Sequence, residues 1–179
     1  PEARPSKVGY EAAGVIEALG PGVTGWAVGD RVAALFGLSM EQYGTYGEQI
    51  LFPADMLVPV SAGQSLTDAA ASWMQYGTAY ALIDVGQIEA GDYIAINAAS
   101  SSVGLAAIQI ALHHNAIPIA ITRGRGKAEA LKALGAAHVI VSDEEDVPGR
   151  IMTITGGKGA RIAFDAVAGQ PLAALLSAM

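Results

Sequence analysis

The 179-residue sequence contains no cysteine, which excludes disulfide bonds and any zinc site with thiolate ligands. Basic residues are also few: 10 Lys and Arg stand against 17 Asp and Glu, so the net charge is −7. This balance disfavours contact with phosphate backbones and with anionic membrane surfaces. We therefore expect neither nucleic acid nor a membrane as a partner.

Charged side chains are missing altogether from the 30 positions between Tyr93 and Thr122. Asn97, Gln109, Asn115 and other polar residues interrupt this stretch, so a membrane span is not expected. It has the pattern of a strand, a serine-rich turn, a helix and a second strand. Elements that are apolar on nearly every face are buried on both sides, as in a parallel β-α-β unit.

Small residues form the turn between the first strand and the helix, from Ala98 to Gly104. Backbone N–H groups stay accessible in such a turn, and the helix dipole favours an anion there. The dinucleotide fingerprint G-x-G-x-x-G keeps only its last glycine, Gly104. Helix capping by serine is the alternative interpretation, and it is compatible with cofactor binding because both use the same N–H groups. We predict that five residues of this turn contact a cofactor: Ser100, Ser101, Ser102, Val103 and Gly104.

Arg123 follows the second strand, where NAD-binding folds place an acid that binds the ribose 2′-OH. The segment from Thr122 to Lys127 carries three cations and no acid. A solvated basic turn is the alternative, but cations at a helix start oppose the helix dipole unless an anion is bound. The pattern favours NADPH, held by Thr122, Arg123 and Lys127.

The rest of the chain separates into a β-rich half and an alternating half. Apolar runs separated by glycine turns predict strands at residues 12–19, 31–36 and 48–52, in a small barrel or sandwich. Ser65 is positioned to cap a helix that continues through Ala81. After residue 92 strands alternate with helices, which predicts an α/β fold with a partial doubly wound parallel (Rossmann) sheet. The strands are expected at 93–97, 118–122, 139–141 and 161–165, and the helices at 103–114 and 127–134, from 143–146 and from 171.

Several motifs occur in a specific order along the whole chain. They are Gly9–Val15, Gly20–Val23 followed by Val28–Val32, Tyr46–Pro53, Gly77–Tyr80, Ala98–Gly104 and Phe164–Gly169. In this order they resemble the medium-chain dehydrogenase/reductase superfamily, and specifically its zinc-free quinone oxidoreductase branch (zeta-crystallin-like).

The resemblance implies a domain division and an incomplete chain. Residues 1–82 would be the C-terminal part of a GroES-like β-barrel domain with the inter-domain helix, and residues 83–179 the N-terminal part of an NADPH-binding Rossmann domain. The threonine that corresponds to Thr78 lies near the nicotinamide in this family. Because the chain opens on Pro1 and shows no signal peptide, we expect an internal fragment of a cytoplasmic protein. The resemblance also implies a homodimer when the protein is full length.

The chain departs from the zinc-dependent members at both matching ligand positions. Tyr10 stands where they carry histidine, and Met74 stands where they carry cysteine. Phenol and thioether groups are poor zinc ligands, so no metal is expected. His113, His114 and His138 are interpreted as structural.

The resemblance implies hydride transfer from NADPH to a small-molecule substrate, either a quinone or an α,β-unsaturated carbonyl. No single residue is assigned as the catalytic donor. The candidates are four tyrosines, Tyr10, Tyr43, Tyr46 and Tyr76. Glu11 is interpreted as a structural carboxylate.

Two alternative functions stay open. One is a non-catalytic NADPH-binding sensor or partner protein, and the other is an alcohol dehydrogenase of the same superfamily.

Overall fold

The computed structural model describes residues 8–179, and the chain divides into two compact units. One unit ends at Gln75 and the other begins at Tyr76. The division after residue 82, which the resemblance implies, stays a prediction. Among the described residues, no helix combines the length and the apolar character that a membrane crossing requires.

The first unit is built on a small antiparallel sheet. Its strands are β1 (Ala12–Val15), β2 (Arg31–Ala34) and β3 (Leu57–Pro59), in the order β1-β2-β3. The central strand is the most buried: Ala33 pairs with Ala13 on one side and with Val58 on the other. The short helix α1 (Met40–Tyr43) and a 3₁₀ turn (Ala54–Met56) lie between β2 and β3.

The strand predicted at residues 48–52 is wrong. This segment forms no strand, and the side chain of Leu51 is 88% exposed. The partner of β2 is instead the segment Leu57–Pro59, which follows the 3₁₀ turn. An apolar run forms a strand only where a neighbouring strand is available to pair with it and bury it. The local sequence pattern does not show whether such a neighbour exists.

Three short helices replace the single helix predicted after Ser65. They are α2 (Leu66–Ala70), α3 (Trp73–Ala79) and α4 (Ala81–Asp84). The predicted cap is confirmed, because the Ser65 hydroxyl accepts a hydrogen bond of 3.0 Å from the Asp68 backbone N–H. At the first break the Ser72 hydroxyl donates to the Asp68 carbonyl oxygen, the acceptor that the Ser72 backbone N–H would use in a continuous helix.

The second unit holds a four-stranded parallel sheet. Its strands are β4 (Tyr93–Ile96), β5 (Ile117–Thr122), β6 (His138–Val141) and β7 (Ile162–Phe164), in the order β6-β5-β4-β7. The helices after them are α5 (Ser102–His113), α6 (Ala128–Ala133), α7 (Val147–Ile154) and α8 (Gln170–Leu176). All four predicted strands are therefore present. The acidic helix start predicted at 143–146 is corrected to Val147, with Asp146 as the cap.

Two apolar cores cover the two faces of this sheet. Ile94 and Ile96 of β4 pack into the core that α4, α5 and α6 share. Ala95, between them, packs into the core that contains Ile151 of α7 and Leu175 of α8. Alternate residues of a strand point to opposite faces, so both faces of the sheet are buried, as the charge-free sequence predicts. The predicted partial doubly wound sheet is confirmed.

The strand order also determines where a ligand can bind. The chain leaves β4 toward β5 and β6, and it returns on the other side of β4 to form β7. Since the strands are parallel, their carboxyl ends lie at the same edge of the sheet. The reversal beside β4 is the topological switch point, where such folds open a crevice for ligands.

Candidate cofactor-binding site

A groove of about 1040 Å³ lies at the carboxyl ends of the strands of the second unit. The segments after β4, β5 and β6 form its walls, together with α8 and the loop before it. This is the position at which open α/β sheets bind their ligands. The lining residues are Asn97, Ala98, Ser100, Ile121, Thr122, Arg123, Gly124, Gly126, Lys127, Ser142, Asp143, Val147, Val167, Gln170, Pro171, Ala174 and Leu175.

The turn between β4 and α5 is tight because backbone contacts hold it from both sides. Ala98 has φ +48°, a left-handed conformation that alanine rarely adopts. Its carbonyl oxygen accepts from the Ser101 N–H at 2.8 Å, and the Ala99 N–H donates to the Ile121 carbonyl at 3.0 Å. The first bond closes the turn, and the second ties it to the end of β5.

Gly104 is required by close packing at the start of α5. A Cβ added to Gly104 would lie 2.6 Å from the Ala98 carbonyl oxygen and 2.7 Å from the Ala99 Cα. Both atoms belong to the backbone, and neither has room to move in this turn. The only fingerprint glycine that the chain retains therefore stands where helix and strand end approach most closely, the role of the third glycine in dinucleotide-binding turns.

The start of α5 presents unpaired donors beside the groove. The Ser101 hydroxyl caps the helix by accepting from the Gly104 N–H at 3.1 Å. The N–H groups of Ser100, Ser102 and Val103 donate to no acceptor within the described residues. Such groups at the N-terminus of a 12-residue helix attract an anion through their partial positive charge. Capping by Ser101 thus leaves the other N–H groups available to an anion, so the two interpretations of the serines are compatible.

The basic segment after β5 contributes two cations to the groove. Arg123 and Lys127 both line it and are exposed. Neither forms an ion pair within the part of the chain that the structure describes. Two unpaired cations beside a groove are suited to a phosphate group.

The third cation of this segment is already paired. The Arg125 guanidinium donates to both carboxylate oxygens of Glu144, with Nε 3.3 Å from Oε1. The pKa of Arg125 is raised, mainly by these hydrogen bonds and next by the negative charge of Glu144. The pKa of Glu144 is lowered, mainly by the hydrogen bonds from Arg125. Because the pKa of Glu144 is lower in the folded state, the pair stabilises the loop above the ordinary glutamate pKa and ceases to do so as the pH falls through the lowered value.

Folding also brings a carboxylate to the basic segment. The N–H groups of Ser142 and Asp143, which follow β6, donate to the carbonyls of Thr122 and Arg123 at 2.9 Å and 3.2 Å. Asp143 lines the groove together with Arg123. The sequence predicted three cations and no acid here, whereas the folded corner has two unpaired cations, a third cation paired with Glu144, and the carboxylate of Asp143.

A polar clamp, formed by the side chains of Asn97 and Asp165, joins the ends of β4 and β7 at the switch point. The Asn97 side-chain amide donates to Asp165 Oδ1 at 2.6 Å, and Asn97 Oδ1 accepts from the Ala98 N–H at 2.9 Å. The other oxygen of Asp165 accepts from the Ala168 N–H at 2.6 Å. The clamp joins the two turns that leave these adjacent strands and supports the strained conformation of Ala98.

Four of the predicted cofactor contacts line the groove. They are Ser100, Thr122, Arg123 and Lys127. Ser101, Ser102, Val103 and Gly104 form the helix start next to it, and Thr78 lies on α3 and is not among the lining residues. Contact of these residues with a cofactor stays a prediction.

Sequence reasoning missed several residues of this groove. Asn97 and Ser142 are the first residues after buried strands, and Asp143 and Gln170 follow close behind strands. A search for polar residues immediately after each buried strand would have found Asn97 and Ser142. Glu144 could not have been found in this way, since only the fold brings it to Arg125.

The remaining sequence candidates lie partly in the first unit. Glu11 Oε2 accepts from the Met74 N–H at 2.9 Å, which agrees with its interpretation as a structural carboxylate. The side chain of Tyr46 is 80% exposed, and the Tyr76 hydroxyl donates to Gln109 Oε1 at 2.8 Å. Among the described residues, no group of three or more His, Cys, Asp or Glu side chains is placed to hold a metal ion.

The parallel sheet, its strand order and the groove at the carboxyl ends of its strands define the second unit as a Rossmann-type α/β unit. Residues 1–62 match the family model of the alcohol dehydrogenase GroES-like domain, and residues 102–179 match that of the zinc-binding dehydrogenase. The two matches follow each other in the order that the sequence resemblance predicts. The chain belongs to the medium-chain dehydrogenase/reductase superfamily.

Individual relatives agree with this assignment. A 2-haloacrylate reductase of a Burkholderia species is 34% identical over 91% of this chain and 49% of its own length. The Escherichia coli quinone oxidoreductase complexed with NADPH matches with a TM-score of 0.87 and 32% identity, over 100% of this chain and 54% of that one. An NAD-dependent alcohol dehydrogenase matches with a TM-score of 0.89 and 30% identity, over 98% and 58%. The chain thus spans about half the length of each of these proteins.

Proposed function

We propose that this chain is part of an NADPH-dependent oxidoreductase that reduces a quinone or an α,β-unsaturated carbonyl without a metal ion. The observation that carries the proposal is the groove at the switch point, which combines the open N–H groups of the α5 start with two unpaired cations. Similarity to a 2-haloacrylate reductase and to an NADPH-complexed quinone oxidoreductase supports it.

The residues present fit a nicotinamide dinucleotide. The N–H groups of Ser100, Ser102 and Val103, which donate to no acceptor within the described residues, would hold the diphosphate. When bound, the nicotinamide supplies the hydride. The role of this unit is then to bind the coenzyme and to hold it in one orientation. We retain Thr78 as the proposed neighbour of the nicotinamide.

The preference for the 2′-phosphate rests on Arg123 and Lys127. Both cations lie beside the groove at the end of β5, where the adenosine ribose binds in folds of this type. A 2′-phosphate would bridge them, whereas the 2′-OH of NADH offers them no charge. The homodimeric state and the cytoplasmic location stay proposals for the longer protein.

A second candidate is an NAD-dependent alcohol dehydrogenase of the same superfamily. Asp143 favours it, because a carboxylate that lines the groove would accept a hydrogen bond from a ribose hydroxyl and repel a 2′-phosphate. The match to an NAD-dependent alcohol dehydrogenase points in the same direction. We rank it second because two unpaired cations outnumber this single carboxylate.

Substitution of Arg123 tests the proposed function. We expect Arg123→Ala to weaken NADPH binding about tenfold while NADH binding changes less than about twofold, since a charge-assisted contact with the 2′-phosphate is lost. Titration of coenzyme fluorescence measures both affinities, and Lys132→Ala serves as the control because Lys132 is an exposed cation of α6 outside the groove.

Equal losses for both coenzymes in Arg123→Ala would contradict the assignment of Arg123 to the 2′-phosphate.

Turnover is measured on the full-length protein with NADPH and a simple quinone. Oxidation of NADPH supports the reductase, whereas binding without turnover on a broad panel of acceptors favours a sensor or partner protein. A stoichiometric zinc ion together with a preference for NADH would favour the alcohol dehydrogenase.

A further inference from the structure

The pair of Arg125 and Glu144 lies at the rim of the groove but is not part of its lining. Gly124 and Gly126, on either side of Arg125, both line the groove, and so does Asp143, the neighbour of Glu144. The backbone of both partners is therefore at the rim. The side chain of Arg125 is nevertheless directed to Glu144, which binds it through both carboxylate oxygens.

The backbone of Glu144 is held by hydrogen bonds, whereas the surroundings of Arg125 are open. The Glu144 N–H donates to the Val141 carbonyl at 3.0 Å, and the next residue, Glu145, binds the same carbonyl at 2.9 Å. Arg125 lies instead in a 3₁₀ turn between two glycines, where added Cβ atoms would meet nothing within 4 Å. A long side chain in such open surroundings follows whichever anion binds it best.

The bond between the two residues is exchangeable. The Arg125 side chain is 78% exposed and that of Glu144 is 40% exposed, so water screens their attraction. A bound phosphate dianion at the rim would compete with the single carboxylate for the guanidinium, since phosphate oxygens match its bidentate geometry equally well.

We infer that Glu144 is a positioning residue that limits coenzyme selectivity by withholding Arg125 from the groove. This inference rests on the proposed binding of a 2′-phosphorylated nucleotide in the same groove. Removal of the carboxylate would leave Arg125 free to become a third cation for the 2′-phosphate, next to Arg123 and Lys127. The selectivity of the chain would then rise without any new residue.

The test measures phosphate recognition without the nicotinamide. Adenosine 2′,5′-bisphosphate and adenosine 5′-monophosphate are titrated by calorimetry into the wild-type chain, Glu144→Gln, Glu129→Gln and the double variant Glu144→Gln/Arg125→Gln. We expect Glu144→Gln to raise the ratio of the two affinities about threefold to tenfold in favour of the bisphosphate. High salt should reduce this gain, because the new contact is exposed.

Two controls separate this explanation from others. Glu129→Gln also removes one carboxylate from an exposed ion pair, with Lys132 on α6, and we expect the wild-type ratio. The double variant removes both partners, and its ratio should return to within about twofold of the wild-type value. A purely structural role of Glu144 would change both affinities together and would leave their ratio unaltered.

Three outcomes would overturn the inference. If Glu144→Gln leaves the ratio unchanged while the wild-type chain prefers the bisphosphate, the proposed function stands and the role of Glu144 does not. If the double variant keeps the full gain, Glu144 acts through its own charge and not through Arg125. If no protein binds either nucleotide, both this inference and the proposed function fail.

Discussion

Gly104 is the residue for which the sequence argument and the structure agree most closely. The fingerprint identified it as the one retained glycine, and the structure gives the reason, since backbone atoms of Ala98 and Ala99 occupy the space of a side chain. Arg125 shows the opposite case at the same scale. Its sequence neighbours suggested a phosphate ligand, but its partner Glu144 is 19 positions away and is reached only through the fold.

Gly104→Ala should destabilise the chain by about 1–3 kcal/mol, because the added methyl group forces the strand end and the helix apart. Urea denaturation followed by circular dichroism measures the change in the free energy of unfolding. The same variant should bind NADPH more weakly, because the turn that carries the open N–H groups is displaced.

Gly126→Ala is the matched control for this prediction. An added Cβ there meets nothing within 4 Å, so we expect a change in the free energy of unfolding within about 0.5 kcal/mol. If Gly104→Ala were as stable as this control, the close packing of the turn against α5 would be refuted.

At the scale of elements, burial decided which predictions were right. The strands and the first helix of the charge-free stretch were predicted to within about a residue or two at each end, because an element that is apolar on both faces has few alternatives. The strand predicted at 48–52 was wrong, and the single helix predicted after Ser65 is divided into three. The strand β3 takes the place beside β2, and Leu51 remains exposed. After α2 the Ser72 hydroxyl binds the Asp68 carbonyl oxygen that a continuous helix would use.

The start of α5 yields a prediction at this scale. Ser101→Ala removes the hydroxyl that accepts from the Gly104 N–H, and we expect the free energy of unfolding to fall by about 1 kcal/mol. Ser102→Ala should change it by less than about 0.5 kcal/mol, since its exposed side chain is the first of the helix and caps nothing. Thermal or urea unfolding of both variants checks the difference, and equal effects would show that Ser101 is not the cap.

At the scale of the whole molecule, strand alternation predicted the class of the second unit, and ordered motifs predicted the superfamily. What sequence reasoning could not provide was the charge of the groove. Ser142, Asp143 and Glu144 reach the segment after β5 only because β6 lies beside β5. The segment after β5, which contains no acid in the sequence, therefore lies among both positive and negative side chains in the folded chain. Measurement of the affinities for NADPH and NADH decides which charge determines the coenzyme.

The central claim is that this groove binds a 2′-phosphorylated nicotinamide coenzyme. Calorimetric titration of the 179-residue chain with NADPH and with NADH tests it most directly. We predict an affinity for NADPH that is higher by about tenfold or more, because Arg123 and Lys127 would form charge-assisted contacts with the 2′-phosphate, which NADH lacks. An equal or higher affinity for NADH would contradict the claim, and in that case Asp143 and not the two cations would determine the coenzyme.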